Sequence, residues 1–278
     1  PLIAKYGYPQ LAATAVTDGV DEFAKRWPNS FWLLGTSASF AESVADVLVK
    51  LRDKGAIGDK VAVVNVADAF GIELMNAGKP AMEAAGFEIV YETSYPLGQQ
   101  DFAPIISAAQ AAEPDAFVAF SYPGDTFGLS AQAKIANLDV GAFYVGVATA
   151  FPAYLGANGA AAEGVLGAGA VNPDAPGMAE WRARHKDVTG VDADYWASAM
   201  TYSSLQILEQ AISKVGSLDK AAVTEAIKGG TFDTVLGEMT LDGNVNRKFW
   251  TVGQWQGGKF YGVASTGIGG EAEPVAKN

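Results

Sequence analysis

The sequence predicts an α/β fold built on a parallel sheet, and three observations carry that prediction. Residues 60–95 read in the order strand, loop, helix, strand. The pair Asp59-Lys60 leads into Val61-Ala62-Val63-Val64, then a polar break at 65–71, an Ala-rich segment at 72–85, a Gly86 stop and a β-rich run at 87–91. The first of these strands is apolar throughout, as a strand buried on both faces of a parallel sheet is. The same order then recurs, with an apolar strand at 116–120, a loop at 121–124, a helix to Asn137 and a strand at 143–147. Consecutive βα units with right-handed crossovers give a parallel sheet flanked by helices. The loops at 67–71 and 121–124 therefore emerge on one edge of the sheet, and each carries one aromatic, Phe70 and Tyr122. Ligands of such sheets gather beyond the carboxyl ends of the strands, so these loops are the first candidates for function.

From the start of the chain, residues 9–16 read as a strand running into a small-residue turn that Thr17-Asp18-Gly19 extends. Small residues and a hydroxyl at a strand end permit close approach to a ligand, with spare N–H groups to donate; a plain strand-to-loop junction is the alternative. A short strand follows at 31–35 and a helix at 39–54, whose Val44, Val47, Leu48 and Leu51 fall at three- and four-residue spacing before Gly55. After the opening unit comes a loop at 95–100. Asp101 is the expected N-cap of a helix that buries Ile105, Ile106 and Ala109 and stops at Pro114-Asp115. Pro104 is tolerated because it sits in the first turn. Asp125 is the expected cap of the next helix.

Residues 149–162 read as loose chain, 164–171 as a strand and 172–177 as a linker rich in turn residues. A basic amphipathic helix is expected at 178–188. A long one at 194–215 presents Leu205, Leu208, Ile212 and Val215 on one face, and a short one at 217–228 ends at Gly229-Gly230. Runs at 249–252 and 259–263 flank Gly257-Gly258 as a hairpin, and the Gly-rich residues 267–278 are expected to be mobile.

Composition narrows the function classes. The chain has 278 residues, enough for one large or two ordinary domains, and a formal net charge of −12. Phosphate neutralisation needs clustered Lys and Arg, so nucleic acid is a poor partner, and an acidic surface argues against anionic lipid. With no cysteine there is no disulfide, thiolate nucleophile or cysteine metal site. No signal peptide or membrane helix is visible. The longest weakly charged stretch, 145–171, is interrupted by Pro152, Asn158 and Glu163. A start at Pro1 fits a processed product or a piece of something longer.

Enzyme motifs fail on inspection. The run 253–259 approaches a phosphate-binding loop but lacks the Ser or Thr after Lys259 and joins two strands. Gly167-Ala168-Gly169 has neither the third glycine nor the helix of a dinucleotide fingerprint, so no cofactor is expected. Asp242-Gly243-Asn244-Val245-Asn246 starts like a calcium loop, but its twelfth position is Gly253, so no metal is expected there. His185 lies among Arg182, Arg184 and Lys186 and reads as solvated, and no Ser sits in a nucleophile elbow. Trp181 and Trp196 read as core anchors. Binding outranks catalysis; an α/β enzyme using acids that only the fold would pair is the competing class.

A set of features in fixed order adds to this. They are Pro9-Gln10-Leu11-Ala12-Ala13-Thr14; residues 61–71; Gly98 and Asp101-Phe102 before a helix; Pro114-Asp115-Ala116 before a strand, with its Tyr122; Tyr195, Leu208, Ala211-Ile212 and Gly216-Ser217; Leu236-Gly237, Leu241-Asp242-Gly243; and the closing hairpin with Val252, Gln254-Trp255. Over nearly the whole chain this resembles the periplasmic solute-binding proteins of branched-chain (Leu/Ile/Val-type) amino acid ABC transporters. The resemblance implies a two-lobed type I periplasmic binding-protein fold, each lobe a parallel sheet flanked by helices, that closes like a hinge on a ligand. Carried over, lobe 1 holds 1–33 and 170–245, lobe 2 holds 34–169 and 246–263, and 264–278 is a tail. The match begins well inside lobe 1, so the expectation is that the N-terminal βαβ units of that lobe are absent from this chain. The resemblance further implies an extracytoplasmic, periplasmic location, a membrane permease as partner, and no enzymatic activity, cofactor or membrane insertion. A cytoplasmic amide sensor of the same fold is the alternative, and a signal peptide on the precursor separates the two.

The resemblance also implies site residues. The small-small-Thr turn that takes a ligand carboxylate falls on Ala12, Ala13 and Thr14, and the cleft aromatics fall on Phe70, where a Tyr is common, and Tyr122. Amino-acid binders take the ligand ammonium on an acid after the next strand. Here that region is Val145-Gly146-Val147-Ala148-Thr149, with Ala148 at the site and no acid. A buried ammonium without a carboxylate costs several kcal/mol, so a small carboxylate, aromatic acid or amide is expected over an ordinary α-amino acid, with Asp125 the nearest alternative acid.

Overall fold

The structure is a computed structural model that describes residues 2–169, 172–174, 177–247, 251–265 and 272–277. The chain opens with α1 (Leu2–Tyr6), β1 (Gln10–Ala12), α2 (Val20–Arg26) and β2 (Ser30–Trp32). β1 and β2 form a small parallel sheet with Leu11 opposite Phe31. The strand expected over 9–16 therefore ends at Ala12. The backbone then leaves the sheet, because β2 has no further residues to pair. Helix α3 (Ser37–Asp53) follows, capped by the Thr36 hydroxyl, which accepts from the Ser39 amide. Its Val44, Val47, Leu48 and Leu51 are buried, as their spacing predicts.

The large sheet is built from β3 (Lys60–Val66), α4 (Ala69–Ala84), β4 (Glu88–Tyr95), α5 (Ala103–Ala111), β5 (Ala116–Phe120), α6 (Pro123–Ala136), β6 (Ala142–Val145), α7 (Pro152–Asn158) and β7 (Leu166–Ala168). After α8 (Met178–Thr189), α9 (Ala197–Val215), α10 (Lys220–Ile227) and the hairpin of β8 (Thr231–Thr234) with β9 (Gly237–Thr240), it is completed by β10 (Thr251–Gln256) and β11 (Lys259–Ser265). The strand order is β11-β10-β7-β6-β5-β3-β4. Strands β4 to β7 are parallel, and the β10–β11 hairpin adds to β7 antiparallel. The chain steps outward from β3 to β4 and then returns past β3 to β5, so its winding direction reverses between β3 and β5. Right-handed crossovers then place α4 on one face and α5 and α6 on the other, and α3 packs beside α4. Ligand sites of open α/β sheets lie at such a reversal, beyond the strand ends.

Several local expectations shift. The 267–278 segment was expected to be mobile, yet residues 272–277 are pinned. Gln254, fully buried, donates to the carbonyls of Gly164 (2.8 Å) and Val275 (2.7 Å) and accepts from the Val275 amide (2.9 Å). Lys54 donates to the Pro274 carbonyl and the Lys277 amide to that of Gly141. Residues 267–271 lie outside the described residues, as do Phe249 and Trp250 of the expected hairpin and Ala175-Pro176 of the expected linker. The stretch 149–162 is not loose: it holds α7 and a 3₁₀ turn. On α9 the buried residues are Ala199, Met200, Ser203, Ser204, Ile207 and Ala211, while Leu205 is 60% exposed. Small side chains let that helix approach its neighbours closely, which leaves the Leu-bearing stripe at the margin. The N-cap of α5 is Phe102, although Asp101 still accepts from the Ala103 amide.

Candidate functional site

The loops after β3 and β5 meet at the winding reversal. Asp68, not a loop residue further on, caps α4: one carboxylate oxygen accepts from the Gly71 amide at 3.1 Å. Gly71 carries no side chain because a Cβ there would collide with the Val66 carbonyl oxygen. This close seating of the helix on the end of β3 puts Phe70 on the first turn of α4, where the sequence suggested a loop. After β5, the N-cap is Tyr122 and the helix begins at Pro123, so Asp125 occupies its first turn and accepts from the Tyr122 amide (3.2 Å). The junction is tightened by Ser121, whose hydroxyl accepts from the Gly146 amide and whose carbonyl accepts from the Val147 amide.

These anchors bring the two aromatics together. The Phe70 and Tyr122 rings stack with centroids 4.9 Å apart and planes at 21°. The Tyr122 hydroxyl donates to the second Asp68 oxygen at 2.8 Å. Burial, together with this bond, pushes the Tyr122 phenol up to about 12. Its hydroxyl is therefore spent on Asp68, and the stacked pair presents an apolar plate.

The plate forms one side of a cleft of about 480 Å³. Leu34, Phe40, Val147, Phe151 and Ala168 continue that side, and Thr14, Ala15, Val16, Trp196 and Ala197 line the rest. Among the described residues, no acidic or basic side chain lines it. Among the described residues, no protein group accepts from the Thr14 hydroxyl or from the amides of Thr14, Ala15 and Val16. The N-terminus of α9 also reaches the cleft at Trp196 and Ala197, and Asp194 caps it. Asp194 accepts from the amides of Trp196 (2.7 Å) and Ser198 and from the Ser198 hydroxyl. An end that would otherwise favour an anion is thus covered by the protein's own carboxylate.

Of the residues singled out in the sequence, Thr14, Phe70 and Tyr122 line the same cleft. Ala12 is in β1, where its carbonyl accepts from the Leu33 amide, and Ala13 packs half-buried against the core. Ala148 is fully buried with φ 83°, a conformation that favours glycine, and its carbonyl accepts from the Phe151 amide. These three do not line the cleft; Ala148 acts at most through its neighbour Val147. Trp196, read from the sequence as a core anchor, is buried and lines the cleft as well. Its signal was available, since it lies two residues after Asp194 and precedes a long helix, but sequence spacing does not show which aromatic borders a cavity. Phe40 and Phe151 were missed for the same reason.

Asp125 does not line the cleft either. It is buried and accepts from the Tyr95 hydroxyl as well as the Tyr122 amide. Burial is the largest influence and raises its carboxyl above the usual carboxylate range; the two hydrogen bonds oppose this, and the nearby Asp68 charge adds to it. The folded chain thus holds this proton to higher pH than the unfolded chain. Its stabilising effect is full below the unfolded value and is lost as pH rises through the raised one. In Asp125→Asn, urea unfolding free energies across about pH 4 to 7 lose this decline with rising pH, while an unchanged slope would assign it elsewhere.

Among the described residues there is no cluster of three metal-ligating side chains, and no helix is long and apolar enough to cross a membrane. His185 sits on α8 near the Val191 carbonyl, away from the cleft. The hairpin expected around Gly257-Gly258 is present between β10 and β11.

Comparison with known proteins places this geometry. A family described as periplasmic binding protein matches residues 1–259. The chain is 27% identical over 201 residues to Leu/Ile/Val-binding protein homolog 4 of Brucella abortus, covering 69% of this chain and 47% of that protein. It therefore spans about half the length of that curated relative. Among solved structures, it is similar to an ABC transporter solute-binding protein of R. palustris in complex with benzoate, with TM-score 0.81, 18% identity, and coverage of 99% of this chain and 75% of the other. It is likewise similar to a leucine-binding protein of Thermotoga maritima, with TM-score 0.81, 20% identity, and coverage of 96% and 75%. The mostly parallel α/β sheet and the extent of the family match lead to one conclusion: the chain belongs to the periplasmic binding protein family, with the architecture of its type I members.

Proposed function

We propose that this chain is the extracytoplasmic ligand-capturing component of an ABC importer, which takes a small carboxylate with an aromatic or apolar body and presents it to a membrane permease. The observation that carries this reading is the composition of the cleft. One side is an apolar plate of stacked Phe70 and Tyr122, and the facing turn at Thr14 offers a hydroxyl and amides with no protein acceptor. Such a site accommodates a ring against the plate and a carboxylate at the turn. It offers no acid to an ammonium, so an α-amino acid would be bound with one charge unpaired. The cleft also draws on both of the lobes implied by the sequence. Thr14, Ala15, Val16, Trp196 and Ala197 belong to 1–33 and 170–245, and the rest belong to 34–169, as hinge closure on a ligand requires. The R. palustris protein with benzoate and the leucine-binding protein share this fold, so both ligand classes are open to it and the side chains decide between them.

Isothermal calorimetry against benzoate, hydroxylated benzoates, benzamide, leucine and valine tests the reading. Heat with aromatic carboxylates and none with leucine or valine is expected. Tight leucine or valine binding would overturn the ligand class, and no heat with any of them would overturn the site.

A further inference from the structure

On α4, one turn beyond Phe70, Glu73 joins elements from both sides of the cleft. One carboxylate oxygen accepts from the Thr17 hydroxyl at 3.0 Å. The other accepts from the Asp18 amide at 3.0 Å and from the Ser37 hydroxyl at 3.1 Å. All three partners are neutral donors, so the glutamate serves as an acceptor for chain groups and not as half of an ion pair here. Asp18 adds a second tie, since its carboxylate accepts from the Ala38 amide in the first turn of α3 at 3.0 Å. Thr17 in turn accepts from the Gly19 amide at 3.0 Å, which folds the loop back on itself. The segment held in this way continues directly from Thr14, Ala15 and Val16, the turn that carries the uncommitted donors.

We propose that Glu73 is a positioning residue: it holds the 14–19 loop across the cleft, aims the Thr14 donors at the ligand, and must release Thr17 and Asp18 before the cleft opens. This rests on the reading of the cleft as the binding site. Both oxygens of the carboxylate are in use, one by Thr17 and the other by Asp18 and Ser37. An apolar side chain at this position would leave all three donors without their acceptor. Hydrogen bonds to an ionised acceptor are the stronger kind, and a tie that breaks on opening is expressed in the dissociation rate. With three neutral donors already on it, Glu73 is also a poor acceptor for a ligand ammonium.

The test has one arm that needs no ligand. Amide hydrogen exchange at Asp18 and Gly19, the two bonded amides of this loop, is compared in the ligand-free protein between the wild type and Glu73→Ala. Exchange about tenfold faster in this segment, with the large sheet unchanged, is expected when its acceptor is lost. Unchanged exchange there would overturn the proposal. In the second arm, stopped-flow binding of benzoate to Glu73→Ala is expected to show dissociation about five- to tenfold faster with little change in association, as for loss of a charged hydrogen-bond acceptor. Adding Thr17→Val should contribute less than it does in the wild type, because both changes remove one tie. Additive effects would overturn the shared role. If the wild type binds neither benzoate nor leucine, the functional reading fails, and the exchange arm alone decides the role of Glu73. If Glu73→Ala loses leucine binding with exchange unchanged, Glu73 is a ligand contact and the proposal is wrong.

Discussion

Phe70→Ala is expected to lower affinity for the proposed ligand class, read with benzoate, by about 10- to 100-fold, because it removes a ring whose stacking and area are together worth about 1.5–3 kcal/mol. Phe70 is half-buried and touches Tyr122 face to face, so the substitution also leaves that ring without its support. The fold itself should lose little, since the backbone of this turn is set by the Asp68 cap and the seating of Gly71 on Val66. Tyr122→Phe separates ring from hydroxyl. With the hydroxyl directed to Asp68 and not to the ligand, its removal should change benzoate affinity by no more than about twofold to threefold, less than the loss of a ligand hydrogen bond of about 1 kcal/mol would cause. Calorimetry on both variants, with circular dichroism melts as the fold control, distinguishes an apolar plate from a polar contact. Equal losses in the two variants would mean that the hydroxyl, not the plate, makes the contact.

Gly169→Ala destabilises the fold by about 2–5 kcal/mol, the sum of left-handed backbone strain and an overpacked core. Gly169 follows β7 with φ 72°, and a Cβ there would overlap the Trp196 side chain at its root. Trp196 cannot step back, because its amide is held by Asp194 at the start of α9. The substitution therefore forces either the end of β7 or the start of α9 to move, and both border the cleft. Denaturant unfolding gives the size of the loss, and an effect below about 1 kcal/mol would mean that the backbone relaxes freely there. Gly177→Ala is a suitable control. That glycine also has positive φ, at 79°, but among the described residues no atom lies within 4 Å of its would-be Cβ, which leaves the strain.

The large sheet was legible in the sequence for a simple reason. The run 61–64 and the run 116–120 are buried on both faces, and continuous apolar strands between turn residues have few other readings. Helix α3 was legible because its core face is made of branched aliphatics at helical spacing. Helix α9 misled because its buried face is Ala, Ser and Met, whereas the apolar stripe that pattern reading follows sits at its margin. The short hairpin of β8 and β9 gave no signal, as four-residue strands with charged positions lack a pattern. The attachment of residues 272–277 runs in part through one buried glutamine, and polarity alone marks such a residue as exposed. At the site, Thr14, Phe70 and Tyr122 were found because strand ends and sheet winding locate loops. Trp196 and Phe151 were not, because they come from elements whose placement depends on tertiary packing.

The position of Trp196 has a practical corollary. Indole emission responds to the polarity and contacts of its surroundings, and among the residues lining the cleft this is the one indole. Among the other described indoles, Trp27 and Trp32 pack on Phe23, Trp181 and Trp255 are buried against other aromatics, and the Trp255 indole N–H is fixed on the Thr149 carbonyl, so their signals form the background. The protein thus carries its own optical probe of occupancy, and ligands can be screened by intrinsic emission without attaching a dye.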